Sequence, residues 1–206
     1  VIISHKHKFI FVKTKKTAGS TLEKLLFPYL GPDDVCTGST RDDTPALNIA
    51  PDQNGHMAWG MIQHQYPFEW KDYYKFTIER NPWDKCVSSY YWHQKIKPER
   101  FGDMTFPRYI LNNPMLPVDW LNYTHNGNLM VDDVFKYEDM WGMYQTLNDK
   151  FGFDIKQEQV TGTKLKSGIR KTTDYKELYD DATVCAVATL FANEIKLLGY
   201  EYETTS

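Results

Sequence analysis

No stretch of this 206-residue chain approaches the ~20 consecutive apolar residues that a membrane-spanning helix requires. Cysteine is scarce: Cys36, Cys86 and Cys185 are odd in number and far apart. That excludes a disulfide framework and a zinc-like spacing, and it favours a reducing compartment. A large excess of one charge is also missing. The 24 Lys and Arg residues face 27 Asp and Glu, for a net charge of −3, which argues against a general nucleic-acid-binding surface but leaves room for a local basic pocket. Repeats and low-complexity tracts are absent, and no signal peptide precedes the first apolar run. The expectation is a cytoplasmic chain, although a start at Val1 rather than Met leaves a trimmed upstream anchor open. What is present is ordinary globular material, 41% hydrophobic and 25% charged, of a length that suits one domain over residues 1–206.

The periodicities predict an α/β fold with a mostly parallel sheet flanked by helices. Phe9 to Val12 is an apolar run that reads as a buried strand. Leu22, Leu25 and Leu26 follow at helical spacing, with Leu30 continuing the face. Residues 31–54 hold three prolines and no sustained period, and read as a long loop. A short helix is expected before Pro67, and Lys75 to Glu79 reads as a second strand. Asn81-Pro82 opens a helix there, with Val87, Tyr90 and Tyr91 on one face. Residues 97–128 read as irregular with short helices, and Val131 to Tyr137 as a further strand. Trp141, Tyr144, Leu147 and Phe151 mark a helix closed by Gly152. Leu178 to Leu198 reads as one long helix capped by Gly199.

Two strand-to-helix junctions carry the chemistry. Lys16-Thr17-Ala18-Gly19-Ser20-Thr21 joins the first strand to the first helix. Free backbone N–H groups and the positive end of the helix dipole make such a turn a cradle for phosphate or sulfate. The G-x-x-x-x-G-K-[ST] string of kinase-type phosphate loops is absent, which counts against a small P-loop kinase, the alternative enzyme class. The second junction is Arg80-Asn81-Pro82-Trp83-Asp84-Lys85-Cys86-Val87-Ser88-Ser89-Tyr90-Tyr91. An arginine leaving a strand can form forked, charge-assisted bonds to a second phosphate, and a serine two helical turns further on can donate from the same side.

Both strings resemble those of the 3′-phosphoadenylyl-sulfate (PAPS) dependent sulfotransferases, and above all of the carbohydrate-modifying, heparan- and chondroitin-type, membrane group. The first is similar to their P-K-T-[AG]-[GT]-[ST]-[ST] loop, with Lys15 where many relatives have proline. The second is similar to their R-[DN]-P-[YW]-[ED]-[RK]-x-[VL]-S-x-[YF] segment. The resemblance implies the P-loop-like sulfotransferase fold and PAPS as co-substrate, with adenosine 3′,5′-bisphosphate as product and no metal. It implies that Lys16 neutralises the bridging oxygen of the donor. Thr17, Ala18, Gly19, Ser20 and Thr21 would hold the 5′-phosphosulfate, and Arg80 and Ser88 the 3′-phosphate. The pair Gly55-His56 is similar to a Gly-His of that group whose histidine serves as general base, a task suited to its near-neutral pKa. His64 and Glu23 are rival bases. A late basic loop, with Lys166, Ser167, Gly168 and Arg170, would close over the nucleotide. The implied acceptor is a carbohydrate or a small hydroxylated compound. A glycan-binding protein without catalysis is the non-enzymatic alternative, opposed by the intact Lys16, Arg80 and Ser88. The basic run His93, Lys95, Lys97, Arg100 could meet an acidic acceptor, though a solvated helix end is the simpler reading. Tyr137-Glu138-Asp139, Tyr175, Tyr179 and Leu198-Gly199-Tyr200 match family patterns that read as structural.

Overall fold

The structure, a computed structural model, describes residues 1–37, 48–50 (backbone only), 55–163, 169–170, 172 and 174–202. The strands are β1 (Ile2–Ser4), β2 (Phe9–Val12), β3 (Val35–Thr37), β4 (Asn48–Ala50), β5 (Tyr74–Glu79), β6 (Thr124–His125), β7 (Asn128–Leu129) and β8 (Asp133–Lys136). The helices are α1 (Gly19–Leu26), α2 (Trp59–Gln65), α3 (Pro67–Asp72), α4 (Pro82–Ile96), α5 (Pro98–Phe101), α6 (Phe106–Asn112), α7 (Trp120–Tyr123), α8 (Met140–Phe151), α9 (Gln157–Gly162), α10 (Asp181–Leu190) and α11 (Ala192–Leu198). Among the described residues no helix is long and apolar enough to cross a membrane.

The chain falls into two compact units, Val1–Glu79 with Leu121–Leu165, and Arg80–Trp120 with Lys166–Ser206. The first holds a six-stranded sheet in the order β4-β3-β1-β2-β5-β8. Three of its five pairings are parallel (β3 with β4, β2 with β5, β5 with β8), and β1 runs antiparallel to both of its neighbours. The mostly parallel α/β architecture expected from the periodicities is therefore present. All four residues of β2 are buried, as a strand covered on both faces should be. Phe11 and Phe76 stack across the β2–β5 pair at 5.3 Å, and Leu22, Leu25 and Leu26 of α1 join the same core.

Four expectations need correction. Ile2–Ser4 is a strand in its own right, paired with β2. Residues 31–54 supply β3 and β4 and are not one uninterrupted loop. The start of β3 is tied to the end of β1 through Asp34, a buried carboxylate that accepts hydrogen bonds from Ser4 Oγ (2.7 Å), His5 N (2.7 Å) and Gly31 N (3.0 Å). Pro28 converts the end of the first helix into a 3₁₀ turn over Phe27–Tyr29, so Leu30 lies beyond the helix rather than on its face. The long terminal helix is two helices, α10 and α11, with Phe191 between them at φ −107°. Phe191 is fully buried in the core of the second unit, and packing there outweighs helix continuity. That core also takes in Val87, Tyr90 and Tyr91, the buried face expected for α4, with Trp83 of the same helix and Tyr109 of α6. The left-handed caps at Gly152 (φ 69°) and Gly199 (φ 63°) are as expected.

Candidate active site

β2 and β5 are parallel neighbours, so their carboxyl ends share one edge of the sheet. The segment Lys13–Glu23 leaves β2 at that edge and carries three lysines against one glutamate, a surplus of two positive charges. Lys16 and Ala18 both have left-handed backbone (φ 62° and 60°), unusual for residues with a Cβ. Left-handed residues alternating along a turn are the backbone form of an anion-binding concavity. Ala18 is the N-cap of α1 and offers its first turn no side-chain acceptor. Two hydroxyls brace the turn from inside. Thr14 Oγ1 donates to the Ile78 carbonyl of β5 and lies 2.9 Å from Thr17 Oγ1, while Thr77 Oγ1 donates to the Val12 carbonyl at 2.7 Å. The Thr17 hydroxyl is thus spent within the loop. The N–H of Thr21 donates to the Ala18 carbonyl at 2.8 Å, and Ser20 stands half-buried beside it.

Three residues meet at Lys13, a residue that sequence reasoning passed over. Its ammonium pairs with Glu23 at 2.7 Å, its stem runs along Gly19, and its carbonyl lies 3.1 Å from Nδ1 of His56. A carbonyl only accepts, so the bond requires a proton on Nδ1, which in the neutral ring leaves the lone pair on Nε2. His56 is therefore brought to the first loop from 43 residues away. His64 is exposed in the last turn of α2, and Glu23 is buried and tied to Lys13.

In the second unit, Asn81 caps α4 by accepting from the N–H groups of Trp83 and Asp84. Arg80, just ahead of the cap, is buried and donates through Nε (2.8 Å) and Nη2 (2.5 Å) to Asp84 Oδ2. Arg170 donates to the other oxygen of Asp84 at 2.5 Å. Two guanidinium groups thus share one carboxylate, a local surplus of positive charge. Ser88 lies one helical turn past Asp84, on the same side of α4. Arg80 and Arg170 are brought together here through Asp84, Ser88 shares their helix face by spacing alone, and Lys166, Ser167 and Gly168 lie outside the described residues. His93 leaves the basic run. It is buried, bonded through Nδ1 to Tyr109 Oη at 2.8 Å and stacked on Phe101.

The family profile described as the sulfotransferase family matches residues 1–201. This chain is a sulfotransferase. Among curated proteins no match is found. Among solved structures, the fold of this sulfotransferase is similar to the mouse sulfotransferase SULT7A1, whose crystal structure was determined in complex with PAP. The TM-score is 0.56 at 12% identity, over 94% of this chain and 85% of the mouse one. At that identity the likeness speaks for the fold. The profile match carries the sulfuryl-transfer chemistry.

Proposed function

We propose that this sulfotransferase moves a sulfuryl group from PAPS to a carbohydrate hydroxyl, with His56 as general base. The observation that carries the reading is the bond from the His56 ring to the Lys13 carbonyl, which presents a base-competent Nε2 at a lysine-rich, anion-cradling loop. The donor set suits PAPS. The turn around Lys16 and Ala18 and the uncapped start of α1 fit its 5′ end, and Arg80 and Arg170 with Ser88 fit a 3′-phosphate. PAPS supplies the sulfuryl group on a mixed phosphate–sulfate anhydride. The chain's own residues do the rest. The Lys16 ammonium faces charge that grows on the bridging oxygen. Backbone N–H groups of residues 18–20 orient the group. Nε2 of His56 takes the proton of the attacking hydroxyl, an effect worth roughly 10²–10⁴-fold. The Gly55-His56 pair supports a carbohydrate acceptor through its likeness to the carbohydrate-modifying group.

Transfer of radiolabelled sulfate from PAPS to a panel of glycans, phenols and amines tests this. Glycans should be labelled. Lys16→Ala and His56→Ala should each lower kcat by about 10²-fold or more, with affinity for adenosine 3′,5′-bisphosphate changed only a few-fold in the His56 variant. Label on phenols or amines instead of glycans would overturn the acceptor assignment. Full turnover by His56→Ala would overturn the base assignment.

A further inference from the structure

The geometry points to Lys13 as a positioning residue of the transfer site, one that sets the ring form of His56 and the approach of Gly19 through its pairing with Glu23. This inference rests on the reading of His56 as base. Lys13 follows β2 directly, one residue past the last register pair of the β2–β5 ladder, Val12 with Thr77. Its side chain then spans the loop. A Cβ at Gly19 would come within 2.9 Å of Lys13 Cγ and 3.0 Å of Cε, so the lysine stem lies against the glycine where a side chain would stand. At the far end the ammonium meets Glu23 Oε2 at 2.7 Å, with only 12% and 4% of the two side chains exposed. The second oxygen of Glu23, Oε1, is buried and has no hydrogen-bond partner among the described residues.

A buried carboxylate with one oxygen unsatisfied is an expensive arrangement, and an apolar pair of similar size would fill the space at lower cost. What the ion pair provides is direction. The α1 helix carries Glu23, Glu23 fixes the ammonium, and the stretched lysine fixes its own carbonyl against the His56 ring. A carbonyl held there keeps the proton on Nδ1. A carbonyl free to shift by a fraction of an ångström allows the Nε2–H form, which has no lone pair for the acceptor hydroxyl. Lys13 touches neither donor nor acceptor in this scheme. It acts through His56 and Gly19.

The test compares Lys13→Met, Glu23→Gln, the double variant and Lys13→Arg in the full chain. Lys13→Met should lower kcat about ten-fold or more with the acceptor KM held within about two-fold, since the base and not the binding surface is disturbed. Ring ¹⁵N shifts of His56 should report the Nδ1–H form in the parent and a mixture in Lys13→Met. The double variant should lose less than the product of the single losses, because the carboxylate charge stranded by Lys13→Met is gone. Lys13→Arg should recover most of the turnover. If Lys13→Met does not fold, Glu23→Gln carries the same expectations, because it releases the ammonium without changing shape. Unaltered kcat and ring form in the single variants, with only the melting temperature lowered, would overturn the inference. The ¹⁵N readout is independent of turnover, so an active His56→Ala would sink the base assignment while leaving the Lys13 measurement to stand or fall by itself.

Discussion

At the residue scale the second unit holds a buried charge imbalance. Lys85 and Asp119 are fully buried and paired at 3.0 Å, and Glu194, 1% exposed, lies close enough to feel both. Burial raises the Glu194 pKa above the ordinary glutamate value; the main-chain hydrogen bonds and the charge of Lys85 pull it down, and Asp119 adds to the rise. Among the described residues Lys85 therefore faces both carboxylates, and Asp119, at 3.0 Å, has the better claim on it. A raised folded-state pKa means that the native protein holds this proton more tightly than the unfolded chain. Glu194 therefore favours folding below the unfolded pKa, and that contribution is lost as pH rises through the folded one. Glu194→Gln keeps the shape and the Lys85–Asp119 pair. It should raise the thermal midpoint above neutral pH by about 2–4 °C, on the order of 1 kcal/mol. The gain should vanish near about pH 4, where the unfolded carboxyl also protonates. Melting curves across pH check this; a gain that grew as pH fell would contradict it. Cys86, in the same unit, is a buried thiol whose pKa burial pushes up to about 12, which makes it inert packing rather than a nucleophile.

At the element scale, the helices with local signals ended where the sequence said they would. α8 stops at Gly152, which takes φ 69° and has no heavy atom near its missing Cβ. Because space is open there, Gly152→Ala should cost only the backbone strain of a left-handed alanine, roughly 1–2 kcal/mol, read by chemical denaturation. A neutral substitution would show that the cap can unwind at no cost. Asp139 caps the other end of α8 by accepting from Gly142 N at 3.0 Å, the structural part expected of Tyr137-Glu138-Asp139. Elements without local signals were the ones misread. β1, β3 and β4 are three residues each, too short to show a period, and their pairing partners are supplied by the rest of the sheet. The run from Leu178 to Leu198 has an unbroken helical period, yet a 3₁₀ turn at Tyr175–Leu178, the box at Asp180 and Thr183, and buried Phe191 divide it. Periodicity registers which face is apolar and is blind to a bend that keeps that face buried.

On the scale of the whole molecule, a nucleotide that binds only the native state must stabilise it. At a hundred times its dissociation constant, adenosine 3′,5′-bisphosphate should add about 2.7 kcal/mol. Arg80→Ala removes charge-assisted bonds, should weaken that binding about ten-fold or more, and should reduce the thermal shift accordingly. Stabilisation by magnesium-ATP and not by the bisphosphate would favour a kinase instead. The sequence by itself determined the two strand–turn–helix junctions, the α/β class and the residue types at each turn, because these depend on neighbours a few positions apart. Only the tertiary structure decided which distant side chains meet. Lys13 meets His56 across 43 residues, Asp84 gathers Arg170 across 86, and His93 is withdrawn into a core. Such pairings follow from strand order and helix packing, which bring distant segments together by burying surface, and local spacing carries no record of that.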